Sequence, residues 1–375
     1  MGTLTIREVK TEILDLPIRR PHRFAFQTMD HQSHVLVRIR TEEGLEGIGE
    51  GVTAGGPWWG GESVETIKVV IDAYLAPVLV GEEATRTEYL LEKMDRVAAG
   101  NQFAKAAIEM ACYDLLGKSL GAPLHDLLGG LYSESLPVAW ALGAGGETKA
   151  NVAEAREKLD ANLHSRFKVK VRAAEADADV ERVAQLSKAL GGEARLIIDP
   201  NQSWDVITAM RLLPRLAEAG VSLLEQPLPR WDVDGMARLV ETELVPIMAD
   251  EGMYSVQDAL AFAKRRAAHV FSLKTHKSGG ITRTNKTAVV AEAAGIGLYG
   301  GTTLETSVGT AASLHLYCTM PHLSEGCELF GPRLLADDIV ERPVEYRDFR
   351  VWVPRGPGLG VSLDEEKVSH YRRTA

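Results

Sequence analysis

Five charged residues recur at a nearly even beat through the second half of the chain. Lys170, Asp199, Glu225, Asp250 and Lys274 lie 29, 26, 25 and 24 residues apart. Each closes a short apolar run that reads as a β-strand: Phe167–Lys170, Leu196–Asp199, Ser222–Glu225, Ile247–Asp250 and Phe271–Lys274. Adjacent strands lie about 4.8 Å apart, so Asp199, Glu225 and Asp250 at one level converge on a point. Bare, they would repel one another and take up protons; a cation among them removes that cost. All-oxygen ligation without His or Cys selects Mg2+ or Mn2+ over Zn2+. Lys168 and Lys170 are two apart in a strand and share its inner face. Close together and beside a dication, both are expected to be pushed toward the neutral amine, a usable base. Lys274 is expected from the opposite side. Amines on either side of a carboxylate held by a dication can move a proton at the neighbouring carbon, with the ion offsetting the doubly negative enediolate.

The beat itself specifies what must position these groups. A strand, a helix and two loops need about this many residues in a (β/α)8 barrel, whose active site collects at the C-terminal strand ends. The predicted fold class is α/β, a (β/α)7–8 TIM-like barrel with an N-terminal α+β capping domain. Strand candidates begin near 137, 167, 195, 222, 246, 269 and 297, with an eighth near 325–330. Gly220 and Gly295 suit helix C-terminal stops. Before the alternation, residues 3–16 read as a strand and His34–Gly51 as a hairpin. Helical stretches follow near 63–80, 84–98 and 102–120. Strands then helices describe a separate α+β unit. Gly47, Gly49 and Gly51 superficially resemble a nucleotide loop, but in a hairpin they predict bulges or tight turns. The expected division is 1–130 for the cap, 131–340 for the barrel and 341–375 for a C-terminal segment. In that segment Val344–Val353 alternates like a strand and is expected to return to the cap.

The cap should close the site through Pro21–Phe26 and Gly55–Gly61. Glycines around Trp58 and Trp59 suit a mobile lid with an apolar inner face. Phe24 and Phe26 would extend that face, and His22 and Arg23 could meet a distal carboxylate of the substrate.

Composition narrows the partners. The chain has 375 residues and a net charge of −10, against nucleic acid or an anionic membrane surface. Hydrophobic residues make up 45% and charged residues 25%, ordinary for a soluble enzyme. No apolar run approaches the roughly 20 residues of a membrane span, and the first residues show no signal-peptide pattern. Cys112, Cys318 and Cys327 are odd in number and form no CxxC pair, which fits buried thiols in a reducing cytoplasm.

Lys168-Val-Lys170, Asp199-Pro-Asn201, Glu225-Gln-Pro227, Ala249-Asp250-Glu251 and Lys274 together resemble the enolase superfamily, muconate-lactonizing subgroup, across essentially the whole chain. Within it, Arg20-Pro-His22, Gly55–Trp59, Gly300–Glu305 and Glu328–Pro332 are similar to muconate and chloromuconate cycloisomerases. The resemblance implies Lys170 as acid/base, Lys168 as its electrostatic partner and Lys274 opposite. It gives Asn201, Glu251 and Glu328 supporting or substrate-contacting roles. It further implies a homo-octamer, a small-molecule carboxylate substrate and a place in aromatic hydrocarbon catabolism. Thr306 stands where the pattern has Gly, and Cys327 where it has Thr. The subgroup also holds racemases, epimerases and dehydratases working by the same α-proton abstraction. The Asp-x-Asp by which dipeptide epimerases hold an ammonium is absent from 297–332. Two further readings need other chemistry: a Schiff-base lyase on Lys170 or Lys274, which needs no metal, and a non-catalytic carboxylate-binding barrel.

Overall fold

The computed structural model describes residues 4–144, 147–172, 174–323 and 325–374. Its first unit is an antiparallel sheet in the order β1 (Ile6–Arg23), β2 (Thr28–Thr41), β3 (Glu46–Gly51). Helices cover it, the longest being Gln102–Leu120, which is buried on nearly every face and stops at Gly121 in the left-handed conformation. The glycines of β3 explain that burial, and correct the expectation of bulges. The register Val35↔Gly51, Val37↔Gly49, Ile39↔Gly47 runs without a shift. A Cβ on Gly47 would sit 2.2 Å from the Ala111 carbonyl oxygen, and one on Gly49 2.0 Å from that of Ala107. The glycines are there so that helix and strand can touch backbone to backbone.

The second unit is a parallel sheet of seven strands: β5 (Ala139–Leu142), β6 (Arg166–Lys170), β7 (Arg195–Asp199), β8 (Leu223–Glu225), β9 (Ile247–Ala249), β10 (Val270–Leu273) and β11 (Gly297–Gly300). The short segment around Cys327 closes it. Cys327 bridges Val138 on one side and Gly300 on the other, both parallel. This is the eighth strand position anticipated near 325–330. Inside, Ile197, Leu223, Met248, Val270 and Tyr299 form one closed apolar cluster. On β7, β8 and β9 the next inward position, two residues on, is Asp199, Glu225 or Asp250. The period of two therefore builds a hydrophobic floor and sets the charged layer on top of it. Outward residues such as Leu196, Ile198, Leu224 and Phe271 join the large core with the helices.

The C-terminal segment differs from the expectation in one respect. Its strand residues form a hairpin, β12 (Glu345–Arg347) and β13 (Arg350–Trp352), on β4 (Ser135–Pro137) beside the barrel. The two-residue turn, Asp348-Phe349, takes positive φ of 54° and 61°, the twist-matched hairpin geometry. Contact with the first sheet comes later. Glu365 binds the Arg38 guanidinium at 2.8 Å through both nitrogens, and Arg372 bridges Leu14.

Candidate active site

The sheet order puts β6 and β10 four strands apart, so Lys170 and Lys274 face each other across an eight-membered ring. Between them Asp199, Glu225 and Asp250 are fully buried. Lys170 pairs with Asp199, and Lys168 with both Glu225 and Glu328. Lys274 Nζ lies 2.5 Å from Asp250 Oδ2 and 4.0 Å from Glu328 Oε1. The Asn201 amide donates to Asp199 Oδ2 at 3.2 Å and to Glu251 Oε1 at 2.9 Å. The nine polar residues expected at the strand ends thus form two linked sets, Lys170–Asp199–Asn201–Glu251 and Glu225–Lys168–Glu328–Lys274–Asp250, which adjoin in the chain at Asp250-Glu251.

Two members were not singled out from the sequence. Lys277, buried, donates to Asp250 Oδ1 at 2.5 Å and to its carbonyl at 2.6 Å. Its signal was the spacing Lys274-Thr-His-Lys277, one helical turn. Gln226 Oε1 accepts from the backbone N–H of Asp250 at 2.9 Å and of Gly252 at 3.1 Å, so one strand's loop aims the next strand's carboxylate. Asn201, Gln202 and Gln226 have positive φ of 45°, 65° and 30°. Such left-handed non-glycine residues directly after two of the carboxylates are backbone strain of the kind found at functional sites.

Without an ion in place, the carboxylates set the charge of two lysines. Burial lowers the pKa of Lys168, but Glu225 and Glu328 outweigh it and hold the amine well above the ordinary range. Lys274 is raised likewise, chiefly by Asp250 against the pull of burial. Both are ammonium groups because each has a carboxylate within contact. The carboxylates carry the complementary strain. Burial pushes Glu225 far up, and Asp199, Glu328 and Asp250 add repulsion. Glu251 rises to about 7 from burial and from Asp250 and Asp199. For Asp250 burial is overcome by Lys274 and Lys277, which hold it below the carboxylate range.

The donor set fits a hard dication. Neither oxygen of Glu225 has an aligned hydrogen-bond donor despite full burial, nor does Glu251 Oε2 or Asn201 Oδ1. Among the described residues no three Asp, Glu, His or Cys side chains stand close enough to grip an ion as they are. Each carboxylate leans on a lysine instead. Asp199, Glu225 and Asp250 would hold the ion by turning from Lys170, Lys168 and Lys274 toward their common centre.

The lid lies directly on the lysines. Phe24 is 5.4 Å from Lys170 Nζ, and the Trp59 ring is 4.2 Å from Lys274 Nζ. Phe24 packs edge-on against both His22 and Trp58, with ring centroids at 4.7 and 5.0 Å. Trp59 is wedged against Phe103 and Tyr254, whose hydroxyl donates to the Trp59 carbonyl at 3.0 Å. His22 is buried, and that burial, with Arg20, Lys170 and Lys168 nearby, lowers its pKa well below the usual value. That direction favours the neutral imidazole. Arg23 is exposed and Phe26 is 61% exposed, at the outer edge of Trp58.

Residues 6–129 match the mandelate racemase / muconate lactonizing enzyme N-terminal domain, and residues 150–367 the enolase C-terminal domain-like family. The chain belongs to the enolase superfamily, in its mandelate racemase / muconate lactonizing branch. It is 47% identical to a chloromuconate cycloisomerase of Cupriavidus necator, over 99% of this chain and 100% of that one. It is 46% identical to muconate cycloisomerase 1 of Pseudomonas putida, with both chains fully covered. The muconate lactonizing enzyme of Pseudomonas fluorescens, solved with muconolactone, superposes with a TM-score of 0.97 at 46% identity, covering 99% of this chain and 100% of that one. The barrel-and-cap architecture of the family is the one described above.

Proposed function

We propose that this enzyme is a cycloisomerase converting cis,cis-muconate, or a chloromuconate, to the corresponding muconolactone. The observation that carries the reading is the placement of Lys168 and Lys170 opposite Lys274, across three carboxylates and under an aromatic lid. In the reaction one substrate carboxylate adds to a double bond, and negative charge develops at the carbon next to the other carboxylate. Bound by Asp199, Glu225 and Asp250, Mg2+ or Mn2+ supplies the Lewis acidity that such a developing enediolate needs. Lys170 delivers the proton to that carbon. Lys168 keeps positive charge beside it and is itself held by Glu328. Lys274 approaches the other face. Lactone formation calls for a proton donor, which ammonium groups are; the raised Lys168 and Lys274 keep the site cationic toward a dicarboxylate.

The lid supports an apolar substrate. Phe24, Trp58 and Trp59 offer rings, and neutral His22 a single polar contact, where a sugar acid would need many polar partners. Their closure keeps water from the enediolate. The same reading places the enzyme in the cytoplasm as a homo-oligomer. Its three cysteines are all free and buried, and Ile207 and Trp231 are 75% and 78% exposed, apolar surface suited to a subunit contact. Among the described residues no helix is long and apolar enough to cross a membrane.

The test is incubation with Mn2+ and cis,cis-muconate while its ultraviolet absorbance is followed. Decay in ordinary water, with one deuterium per lactone in D2O, is expected. Muconates left untouched, with an amino or hydroxy acid racemised or dehydrated instead, would replace this reading by the superfamily's other α-proton chemistry.

A further inference from the structure

Glu50, in β3 of the cap, is fully buried, and all its partners but His34 of β2 come from the segments that follow β10 and β11 of the barrel. Its Oε1 accepts from His34 Nδ1 at 2.6 Å and from Thr306 N at 2.9 Å. Its Oε2 accepts from Thr306 Oγ1 at 2.6 Å and from Gly309 N at 2.8 Å. Its backbone carbonyl accepts from His276 Nε2 at 3.0 Å. Four donors on two oxygens suit only a carboxylate; an amide would turn its NH2 against two of them. A Cβ on Gly309 would lie 3.1 Å from Glu50 Oε2 and 2.8 Å from Glu305 Cβ, so the fit leaves no slack.

What Glu50 grips is the loop Gly301–Thr306, which follows β11 and lines the site. Thr302 N donates to Glu328 Oε1 at 3.3 Å, and Glu328 pairs with Lys168. A Cβ on Gly301 would sit 2.6 Å from Lys274 Cε, so this loop is the wall behind the Lys274 stem. Inside the loop, Glu305 Oε2 accepts from Thr302 Oγ1 at 2.8 Å and from Thr303 N at 2.7 Å. Leu304 is held at φ 64°. The His276 ring extends the hold: its Nε2–H is committed to a carbonyl, which leaves Nδ1 to accept from Thr303 Oγ1 at 3.0 Å. A strained loop kept in place from one end by a cap residue is a joint between lid-bearing domain and proton-transfer site.

We propose that Glu50 and Thr306 are positioning residues. Seated together, they fix the 301–306 loop so that Glu328 stays on Lys168 and Lys274 keeps its reach. The Thr306 hydroxyl, at a position where the family resemblance leads one to expect Gly, is then the fourth donor that Glu50 requires. The inference rests on the proposed role of the lysines, and it concerns the cap's part in assembling them.

The test uses the holoenzyme with Mn2+ and cis,cis-muconate, and compares Thr306→Val, Thr306→Ser and Glu50→Gln. Valine keeps the shape of threonine and removes the donor; serine restores it. Thr306→Val and Glu50→Gln should lower kcat about 10- to 100-fold with KM changed less than about threefold, the cost of misplacing reacting groups by around an ångström. Thr306→Ser should recover most of the loss. Mn2+ affinity by calorimetry should stay at the wild-type value, because no metal-facing carboxylate is touched. Wild-type kcat with only a lowered Tm would overturn the proposal, as would loss of Mn2+ binding in step with kcat. Should wild-type enzyme act on no muconate, the substrate reading fails on its own. Crystal structures of the variants then decide: Glu328 displaced from Lys168 in Glu50→Gln supports the joint, and an unmoved pair removes it.

Discussion

The two walls of the site use lysine in opposite ways. On one wall, Lys168 and Lys170 are spread over three carboxylates, Glu225, Glu328 and Asp199. On the other, Lys274 and Lys277 converge on Asp250, with Glu328 the only further carboxylate, 4.0 Å from Lys274. The first wall is short of positive charge and the second has a surplus. Counted with Glu251, five carboxyl groups meet four lysines, one negative charge in excess once Glu225 and Glu251 have given up the protons that burial favours. A dication reverses that sign and leaves a site that attracts an anionic substrate. The deficit lies where Glu225 is most strained, so the ion relieves the first wall, whereas Asp250 is already neutralised twice over. The walls should therefore respond differently to the loss of one group.

Asp250→Ala should have the largest effect. It removes a metal-facing oxygen, leaves Lys277 buried without its carboxylate and leaves Lys274 only the longer contact to Glu328 at 4.0 Å. Removing one partner of a buried pair costs about 3–5 kcal/mol. Loss of turnover, loss of Mn2+ binding by calorimetry and a clear fall in denaturation midpoint should come together. A variant that keeps wild-type stability would show that the two lysines do not depend on Asp250. Exhaustive chelation of the wild type should abolish turnover without that fall, and full activity after it would remove the metal from the account.

Next comes Lys170→Ala. General acid catalysis by a placed side chain contributes about 10^2- to 10^4-fold, and no other amine reaches that face once Lys168 is committed to two carboxylates. Solvent deuterium should no longer enter the product. Lys274→Ala should be milder, since Lys277 still neutralises Asp250, and should keep stereospecific deuterium entry at a reduced rate. If deuterium entry survives in Lys170→Ala and vanishes in Lys274→Ala, the roles of the two walls are exchanged.

The same contrast marks what the sequence could disclose. Lys168, Lys170, Asp199, Glu225, Asp250 and Lys274 were legible because one local rule, period two within a strand and one strand per unit, fixes both level and direction. The closing segment at Cys327 was legible only as a position, since three residues give no periodicity. Lys277 lies beyond the strand, on the turn Thr275–Ser278, where the strand rule no longer says which way a side chain points. The β3 glycines were misread because their reason is a helix some sixty residues later. Glu50 and Thr306 are 256 residues apart, and nothing local to either names the other. Which carboxylate each lysine touches was not legible either, because it is a matter of tertiary distance.

The lid should give a smaller effect split across kinetic constants. Trp59 backs Lys274, and Trp58 backs Phe24 over Lys170. Replacing both with Ala should raise KM, and lower kcat as well if closure completes the site. Trp58→Ala alone should act mainly on KM and Trp59→Ala mainly on kcat, measured on cis,cis-muconate. Equal effects of the two would mean that the rings only shield the substrate.

The smallest effect concerns stability against pH, and it belongs to the cap rather than to either wall. Glu62 directly follows the lid glycines and accepts from the N–H groups of Phe103 at 3.2 Å and Ala104 at 3.4 Å. Glu109 accepts from Ile281 and Thr282 at the start of the helix Ile281–Ala294. Burial raises each from 4.5 to about 7, against the pull of those N–H donors. A carboxyl raised on folding holds its proton more tightly in the folded chain than in the unfolded one. Between pH 4.5 and about 7 these two groups therefore bind more protons in the folded chain, and their contribution to stability falls as pH rises through that window. These two carboxyls should pull the Tm down from pH 5 to pH 7.5, whereas His22, His164, His276 and His315, whose pKa burial lowers, pull it up over the acid part of that range. Glu62→Gln and Glu109→Gln, which carry no titrating proton, should each make the slope of Tm against pH more positive than in the wild type, even where they lower Tm overall. An unchanged slope in both variants would mean that these N–H donors hold the two carboxylates ionised across the whole range.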